Sequence, residues 1–384
     1  MFLGKGGAGK STLAAATAFA RAAEGKHVLL ASIDQAHSLT QILDLKTSHK
    51  PGQPSSIQRV DFGLDVLEID TLALLEERYR NLVKLAGVGQ ALGQVSPVTP
   101  LDPREVAGLP GVEPILALAE LAELVADDDW DVVIIDCPAT AEAMSALTAP
   151  EILLGYLERM WPQEQRSNEA LSAGLRTAMM AGGVERMSST VKSVRSLLGD
   201  ARRTSIHLVT TPDRVSFAEL MRTRSAVALA GFRVSDIIVN RVVPESAAES
   251  SGWLASRRTQ QQQVIAEIRA AISEIPVQLV DDLVAEPIGR AALESLSEGL
   301  LPPDEHIEVR SVSVVPRDGG TALRFFLPVA DPRSVTLARI SSDLIVGADG
   351  ARRRIPLDPD LRACTVVGAE FDGQYLVVMF SAKS

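Results

Sequence analysis

Eight consecutive residues near the start of the chain, Gly4-Lys5-Gly6-Gly7-Ala8-Gly9-Lys10-Ser11, fit the pattern Gly-x-x-x-x-Gly-Lys-Ser/Thr. Residues of these types at this spacing hold phosphates. Glycines let successive backbone N–H groups turn inward as a nest around anionic oxygens, and a helix starting where the loop ends adds its positive pole. Gly6, Gly7, Ala8 and Gly9 supply that cradle, with Ser11 and Thr12 at the helix start. Lys10 is placed to reach the β- and γ-phosphates of a nucleoside triphosphate, and the Ser11 hydroxyl to ligate Mg²⁺. Lys5 precedes the glycines, so its amine need not serve the phosphates of its own loop.

Three further side chains stand at the ends of apolar runs. Asp34 follows His27–Ile33, Asp136 follows Asp131–Ile135, and Asn240 follows Asp236–Val239. A carboxylate at the end of a buried strand suits a metal ion or a helix cap, and an asparagine there suits a base edge or a turn.

These groups need a scaffold, and its grammar is readable. Met1-Phe2-Leu3 is a short apolar lead into the loop. The alanine-rich Leu13–Ala23 stretch predicts a helix closed by Gly25, and His27–Ile33 predicts a buried parallel strand. Strand, glycine loop, helix and strand form the opening unit of a doubly wound α/β sheet. Leu64–Ile69, Asp131–Ile135, Ser205–Thr211, Asp236–Val239 and Val277–Val280 predict further strands. Thr71–Leu85, Glu113–Val125, Glu151–Met160 and Leu171–Leu198 predict an added helical layer, inserted at about residues 70–130 and 150–200. Gln90–Pro114 holds five prolines and predicts a mobile loop.

After Leu300 the pattern changes. Leu301–Glu305 reads as a linker. Ile307–Val315, Thr321–Val329, Ser334–Ile340, Asp343–Val346, Cys364–Phe371 and Tyr375–Phe380 are short β-type runs separated by turn signals such as Asp349-Gly350 and Asp372-Gly373. The expected organisation is a nucleotide-binding α/β domain over residues 1–300 and a small all-β sandwich over 307–384.

Composition narrows the function. The 384 residues carry 38 basic and 49 acidic side chains, a net charge of −11, which argues against coating nucleic acid or anionic lipid. No apolar run approaches the length of a membrane span, and the N-terminus lacks a signal-peptide pattern, so the protein is read as soluble and cytoplasmic. The two cysteines, Cys137 and Cys364, form no CxxC pair, which argues against a disulfide framework or a structural zinc site.

Several segments in order resemble one family: the arsenite-pump and tail-anchored-protein-targeting ATPases of the ArsA type, with partitioning and septum-site ATPases as wider relatives. Gly4–Thr12 looks like the family's deviant phosphate loop. Ile33–Leu39 resembles its first switch, Asp131–Thr140 its Walker B strand and second switch, Val239–Pro244 the strand-end asparagine that reads adenine, and Glu286–Gly289 a late motif near the base. The resemblance covers about residues 1–300, and the β-module resembles the small-heat-shock-like domain attached to some bacterial members. It implies an ATP-hydrolysing homodimer facing across its nucleotide sites, with a protein client or membrane-protein partner. Lys5 would act on the partner subunit's nucleotide as an arginine finger does. Asp34 would orient the attacking water, Lys10 would bind the transferring phosphate, Asp136 and Ser11 would hold Mg²⁺, and Asn240 would contact adenine.

Departures matter as much. Gln35 replaces the first switch's proline, and Ala141-Glu142 replaces the second switch's Gly-His pair, which leaves open an ATP-dependent switch or chaperone-like module with little turnover. Two cysteines so far apart argue against arsenite or antimonite transport, which needs gathered thiolates. Met144, Leu147, Leu153, Leu154, Tyr156, Leu157, Met160, Trp161, Met179, Met180 and Met187 could line a client groove or simply be core.

Overall fold

The computed structural model describes residues 1–34, 38–45, 55–78, 80, 112–126, 129–162, 175–300, 312–317, 320–328, 331–340 and 342–382, leaving aside the side chains of 112, 114, 156–160, 175–181, 183, 187 and 382. The expectations for Gln35, the Leu301–Glu305 linker and residues 90–111 of the proline-rich segment lie outside these residues; its last three residues, Val112–Pro114, are corrected from loop to the first turn of a helix, where proline's missing N–H costs no hydrogen bond.

Eight strands, mostly parallel to their neighbours, carry the α/β part: β1 (Phe2–Gly4), β2 (Val28–Ser32), β3 (Ser55–Asp61), β4 (Leu64–Ile69), β5 (Val132–Asp136), β6 (Ile206–Thr210), β7 (Val234–Val242) and β8 (Val277–Asp281). The chain divides into two compact units, and the division falls inside β1. Met1–Phe2, Lys10–Asp200 and Glu286–Gly299 form the first; Leu3–Gly9, Ala201–Ala285 and Leu300–Ser384 form the second.

In the first unit the strand order is β3-β4-β2-β5-β1. Strand β2 lies parallel to both β4 and β5, with Leu30 opposite Val66 and Ile134. Every residue of β2 is buried, as its uninterrupted apolar character requires of a strand covered on both faces. Strand β3 pairs antiparallel with β4 at the edge. The sequence reading missed it, because Ser55-Ser56-Ile57-Gln58-Arg59 alternates polar and apolar weakly and no face of the strand is fully buried. Helix α1 (Lys10–Ala23) buries Leu13, Ala14, Ala15, Ala16, Ala18 and Phe19; its alanines allow close approach to the sheet.

The helical layer is present. After a short helix α2 (Ser38–Ile42) come α3 (Val112–Val125), α4 (Thr140–Met160) and α5 (Leu175–Gly199), which pack on one another. Helix α4 corrects one expected boundary: it begins at Thr140 and carries Pro150 inside it, where the sequence suggested a start at Glu151. Proline removes one backbone donor, and the helix bears that loss because Ala143, Ala146 and Leu147 are anchored in the core. Leu147 therefore belongs to the core, whereas the side chains of Tyr156, Leu157, Met160, Met179, Met180 and Met187 lie outside the described residues.

In the second unit β6, β7 and β8 run parallel. They are joined by α6 (Arg214–Ala230), then α7 (Glu245–Ser250) and α8 (Gly252–Ala271). In the first unit, α9 (Arg290–Ser297) packs on α1. The terminal module consists of a four-stranded antiparallel sheet, β14 (Cys364–Asp372), β15 (Tyr375–Ala382), β10 (Gly320–Phe326) and β9 (Val312–Arg317), and a three-stranded one, β11 (Thr336–Ile340), β12 (Asp343–Ala348) and β13 (Ala351–Pro356); α10 (Pro359–Arg362) precedes β14. Strand β13 also escaped the sequence reading, since Arg352-Arg353-Arg354 looks like a solvated run. Asp349 and Gly350 both take positive φ (49° and 86°), the geometry of a tight hairpin turn, and that turn folds the arginine run back onto β12.

The module does not close its own core. Leu229 of α6 joins Leu323, Phe325, Leu344, Val346, Val378 and Phe380 in one buried cluster. Beside it Ser225 Oγ donates to the Pro328 carbonyl (2.9 Å) and Arg353 Nη1 to the Leu229 carbonyl (2.9 Å). Arg224 of α6 is 2% exposed and reaches the Glu274 carboxylate and Gln374 Oε1, the latter at 2.7 Å. Burial pulls the Arg224 pKa down against the opposing pull of Glu274. A buried guanidinium stripped of its carboxylate is costly, so Glu274→Ala is expected to destabilise the protein by about 2–4 kcal/mol in chemical denaturation. Arg224→Met, which removes the charge and keeps the packing, is expected to cost less.

Candidate functional site

The second unit carries the glycine half of the phosphate loop. Gly7 and Gly9 take φ of +77° and +95° about a buried Ala8, the alternation that points backbone N–H groups inward. Ala8 N donates to the Lys5 carbonyl at 3.2 Å, which closes the turn. A Cβ on Gly4 would stand 2.0 Å from the Val209 carbonyl oxygen, so only glycine lets the loop leave the sheet here. Lys5 is exposed. Its charge acts on Asp213, the N-cap of α6: burial alone would raise that carboxyl, but hydrogen bonds from Ser216 and Thr211, with Lys5, hold it below the ordinary carboxylate range.

Asn240 lies two residues before the end of β7 in the same unit. Its Nδ2 donates to the Ala8 carbonyl at 2.9 Å, and its Oδ1 accepts from Arg241 N at 2.9 Å. The amide that the resemblance assigns to adenine is thus engaged at both ends with backbone.

The first unit carries the charged half. Helix α1 opens at Lys10, which is 7% exposed, followed by half-buried Ser11 and Thr12. Ser38 Oγ donates to Ser11 Oγ at 3.1 Å, bringing α2 onto the loop's hydroxyl. Asp34 leaves the end of β2 with its N–H on Ser32 Oγ (3.2 Å). Ile33 N donates to the Asp136 carbonyl at 3.1 Å, which ties the two strand ends together. Of the expected site residues, Lys10, Ser11, Thr12, Asp34 and Asp136 lie in this unit, and Lys5, Gly6, Gly7, Ala8, Gly9 and Asn240 in the other.

Asp136 is the exceptional group. It is wholly buried, and among the described residues neither carboxylate oxygen has a well-aligned hydrogen-bond partner, although the Ser11 and Ser32 hydroxyls stand close enough to act on its pKa. Burial pushes its pKa up to about 6; the Ser11 hydroxyl and Lys10 charge oppose this, Asp34 adds to it, and Ser32 opposes it. An unsatisfied buried carboxylate beside a serine hydroxyl fits Mg²⁺, a hard ion that takes one or two protein oxygens and completes its shell with phosphate and water. Among the described residues no three His, Cys, Asp or Glu gather. Next door, Cys137 is fully buried and its thiol is pushed up to about 12, so it is a poor thiolate ligand.

This burial has a measurable cost. The folded carboxyl titrates near 6 against an ordinary 3.8, so ionisation weakens the fold as pH rises through that interval. Asp136→Asn is therefore expected to raise the melting temperature of the ligand-free protein by roughly 3–6 °C at pH 7.5, with the advantage vanishing below pH 4. Differential scanning fluorimetry across pH checks this, and an unchanged midpoint contradicts it.

A mostly parallel sheet, a glycine nest leading into a helix at a lysine, and a buried aspartate at a neighbouring strand end define a P-loop NTPase-like protein. Sequence comparison carries this further. The anion-transporting ATPase profile matches residues 1–302, and that of an HSP20-like domain found in ArsA matches residues 318–380. The chain belongs to the anion-transporting ATPase (ArsA) family. It is similar to protein Rv2184c of Mycobacterium tuberculosis, at 37% identity over 99% of this chain and 95% of that one. It is also similar to ATPase get3 of Neurospora crassa (25% identical; 78% of this chain and 89% of that one) and to the arsenical pump-driving ATPase of Escherichia coli (28%; 81% and 50%). No helix among the described residues is long and apolar enough to cross a membrane.

Sequence reasoning missed two residues of the site. Ser38 Oγ meets Ser11 Oγ and Ser32 Oγ accepts from Asp34 N; a lone serine beside a strand end carries no signal that would have marked either one.

Proposed function

We propose that the protein is a Mg²⁺-dependent ATPase acting as a homodimer across its nucleotide sites, whose closing and opening work on a protein client or membrane-protein partner. The observation that carries this reading is the buried, unsatisfied Asp136 carboxylate beside Ser11 and Lys10, a site prepared for a cation and a polyphosphate.

The chain's groups divide the work. The glycine nest and Lys10 hold the phosphates, and Ser11 with Asp136 would hold Mg²⁺, which neutralises phosphate charge when bound. Asp34, at the open end of β2, accepts a hydrogen bond from the attacking water and orients it. Lys5 reaches into the neighbouring subunit, and its exposure supports that role. So do Val215 (65% exposed) and Trp253 (66% exposed), apolar side chains on the second unit that a partner copy would cover.

A switch with little turnover is the second reading. It is favoured by exposed Ala141 and Glu142 at the start of α4, where the family places Gly-His. Metalloid export gains no support, since Cys137 is sealed in the core and Cys364 lies in the β-module. The test measures ATP turnover with and without Mg²⁺ and mass by light scattering. Mg²⁺-dependent hydrolysis with an ATP-induced dimer supports the first reading; tight ATP binding without phosphate release supports the second.

A further inference from the structure

Three strands of the first unit carry polar side chains in one row near their C-terminal ends. Glu68 of β4 stands opposite Ser32 of β2, and Ser32 stands opposite Asp136 of β5. Residues paired in register on neighbouring strands present their side chains to the same face of the sheet. Two of the three already have a place in the site: Asp136 is its buried carboxylate, and Ser32 Oγ accepts from Asp34 N. Glu68 is the third.

Glu68 Oε1 takes two bonds from one residue of α2: Thr40 N donates at 3.1 Å and Thr40 Oγ1 at 2.7 Å. At the far end of this five-residue helix the Ile42 carbonyl accepts from Gly289 N at 2.8 Å, and Leu39 is fully buried. A helix this short has almost no stability of its own, so its place is set by such ties. Its first residue, Ser38, donates to Ser11 Oγ at 3.1 Å. The Glu68 carboxylate therefore anchors the helix two residues from the hydroxyl that meets the phosphate loop.

We propose that Glu68 is a positioning residue for the first switch: through Thr40 it clamps α2 to the end of β4 and holds the Ser38 hydroxyl on Ser11, so that Ser11 is oriented for Mg²⁺ before nucleotide binds. This rests on the reading of Ser11 and Asp136 as the Mg²⁺ site. A hydroxyl oxygen has two lone pairs; the bond from Ser38 takes one of Ser11's and leaves the other for a cation. The effect of the clamp falls on the cation, because neither Glu68 nor Thr40 belongs to the glycine nest. Both bonds to Glu68 come from neutral donors, so its oxygen matters here and its charge does not.

Titration calorimetry of the full-length protein with ATP, once with Mg²⁺ and once with EDTA, separates a clamp from a general loss of structure. Glu68→Ala is expected to weaken ATP binding about tenfold with Mg²⁺ and by less than about twofold with EDTA. Glu68→Gln is expected to stay within about twofold of wild type in both, since its amide oxygen accepts the same two bonds. Thr40→Val, which keeps the N–H and loses the hydroxyl, is expected to cost about threefold with Mg²⁺. Ser38→Ala is expected to match Glu68→Ala, and the two together to be no weaker than either alone, as for residues that act through one contact. If Glu68→Ala does not fold, the same cycle is run with Thr40→Val. Glu68→Gln as weak as Glu68→Ala would overturn the clamp and assign the effect to the charge of the carboxylate. Additive losses in the double variant would overturn it too, since the clamp works only through Ser38. Equal binding by wild type and Glu68→Ala with Mg²⁺ would overturn the clamp and leave the nucleotide site intact. Wild-type protein that binds ATP equally well with Mg²⁺ and with EDTA would remove the cation reading and the clamp with it.

Discussion

Replacing Asp34 by Asn is expected to lower steady-state ATP hydrolysis by about 10²–10⁴-fold, the range that a positioned general base or water-orienting carboxylate contributes. ATP affinity should change little, because Asp34 lies just beyond β2 while the nest, Lys10 and Ser11 are the groups proposed to hold the phosphates. Its surroundings favour a clean result: its backbone N–H is already anchored on Ser32 Oγ, and an amide of the same shape preserves that turn. The ATP-loaded form should then persist, and light scattering with ATP and Mg²⁺ should report a lasting dimer. A variant that hydrolyses ATP at the wild-type rate would remove Asp34 from the chemistry and leave only its turn-forming role.

Lys5→Ala is expected to cost more, about 10³–10⁵-fold in turnover, if its ammonium neutralises charge on a transferring phosphoryl group as an arginine finger does. Which subunit's nucleotide it serves is decided by mixing. Homodimers of Lys5→Ala lack the cation and homodimers of Asp34→Asn lack the water-orienting carboxylate, so each alone should be nearly inactive. In a mixed dimer, the subunit bearing Lys5→Ala keeps its own Asp34 and receives Lys5 from its neighbour, so one of two sites is complete. An equimolar mixture should therefore recover about a quarter of wild-type activity if half the dimers are mixed and each has one working site. A mixture as inactive as its components would place Lys5 on its own subunit's nucleotide and end the trans mechanism.

Much of this protein was legible from residue types and spacing. The phosphate loop is local: glycines at positions 4, 6, 7 and 9 ahead of a lysine and a serine carry their own geometry, since only glycine turns the chain into φ values such as those of Gly7 and Gly9. The buried strands β2, β5 and β6 announce themselves as short apolar runs. The aspartates that end β5 and follow β2 stand at strand ends, and the family resemblance picked them out there; the β-module was found by the loss of helical periodicity after Leu300.

What stayed hidden depends on partners distant in sequence. Strands β3 and β13 carry too few apolar residues to declare themselves and exist because β4 and β12 offer a ladder. The helix through Pro150 survives on packing that the local pattern does not contain. Leu229 and Arg224 look like ordinary helix residues until the module's open core and Gln374, 150 positions away, meet them.

The sequence by itself determined the chemistry: a nest for phosphates, a lysine ahead of it, two strand-end carboxylates and an asparagine. Local backbone preferences and hydrophobic period place these groups, and the family resemblance suggests their roles. Only the tertiary structure decided what each group touches. Burial raised the Asp136 pKa to about 6, and folding brought Asn240, 232 residues along the chain, onto the Ala8 carbonyl. Desolvation and hydrogen-bond partnership are properties of neighbours brought together by folding, and no pattern along the chain records them.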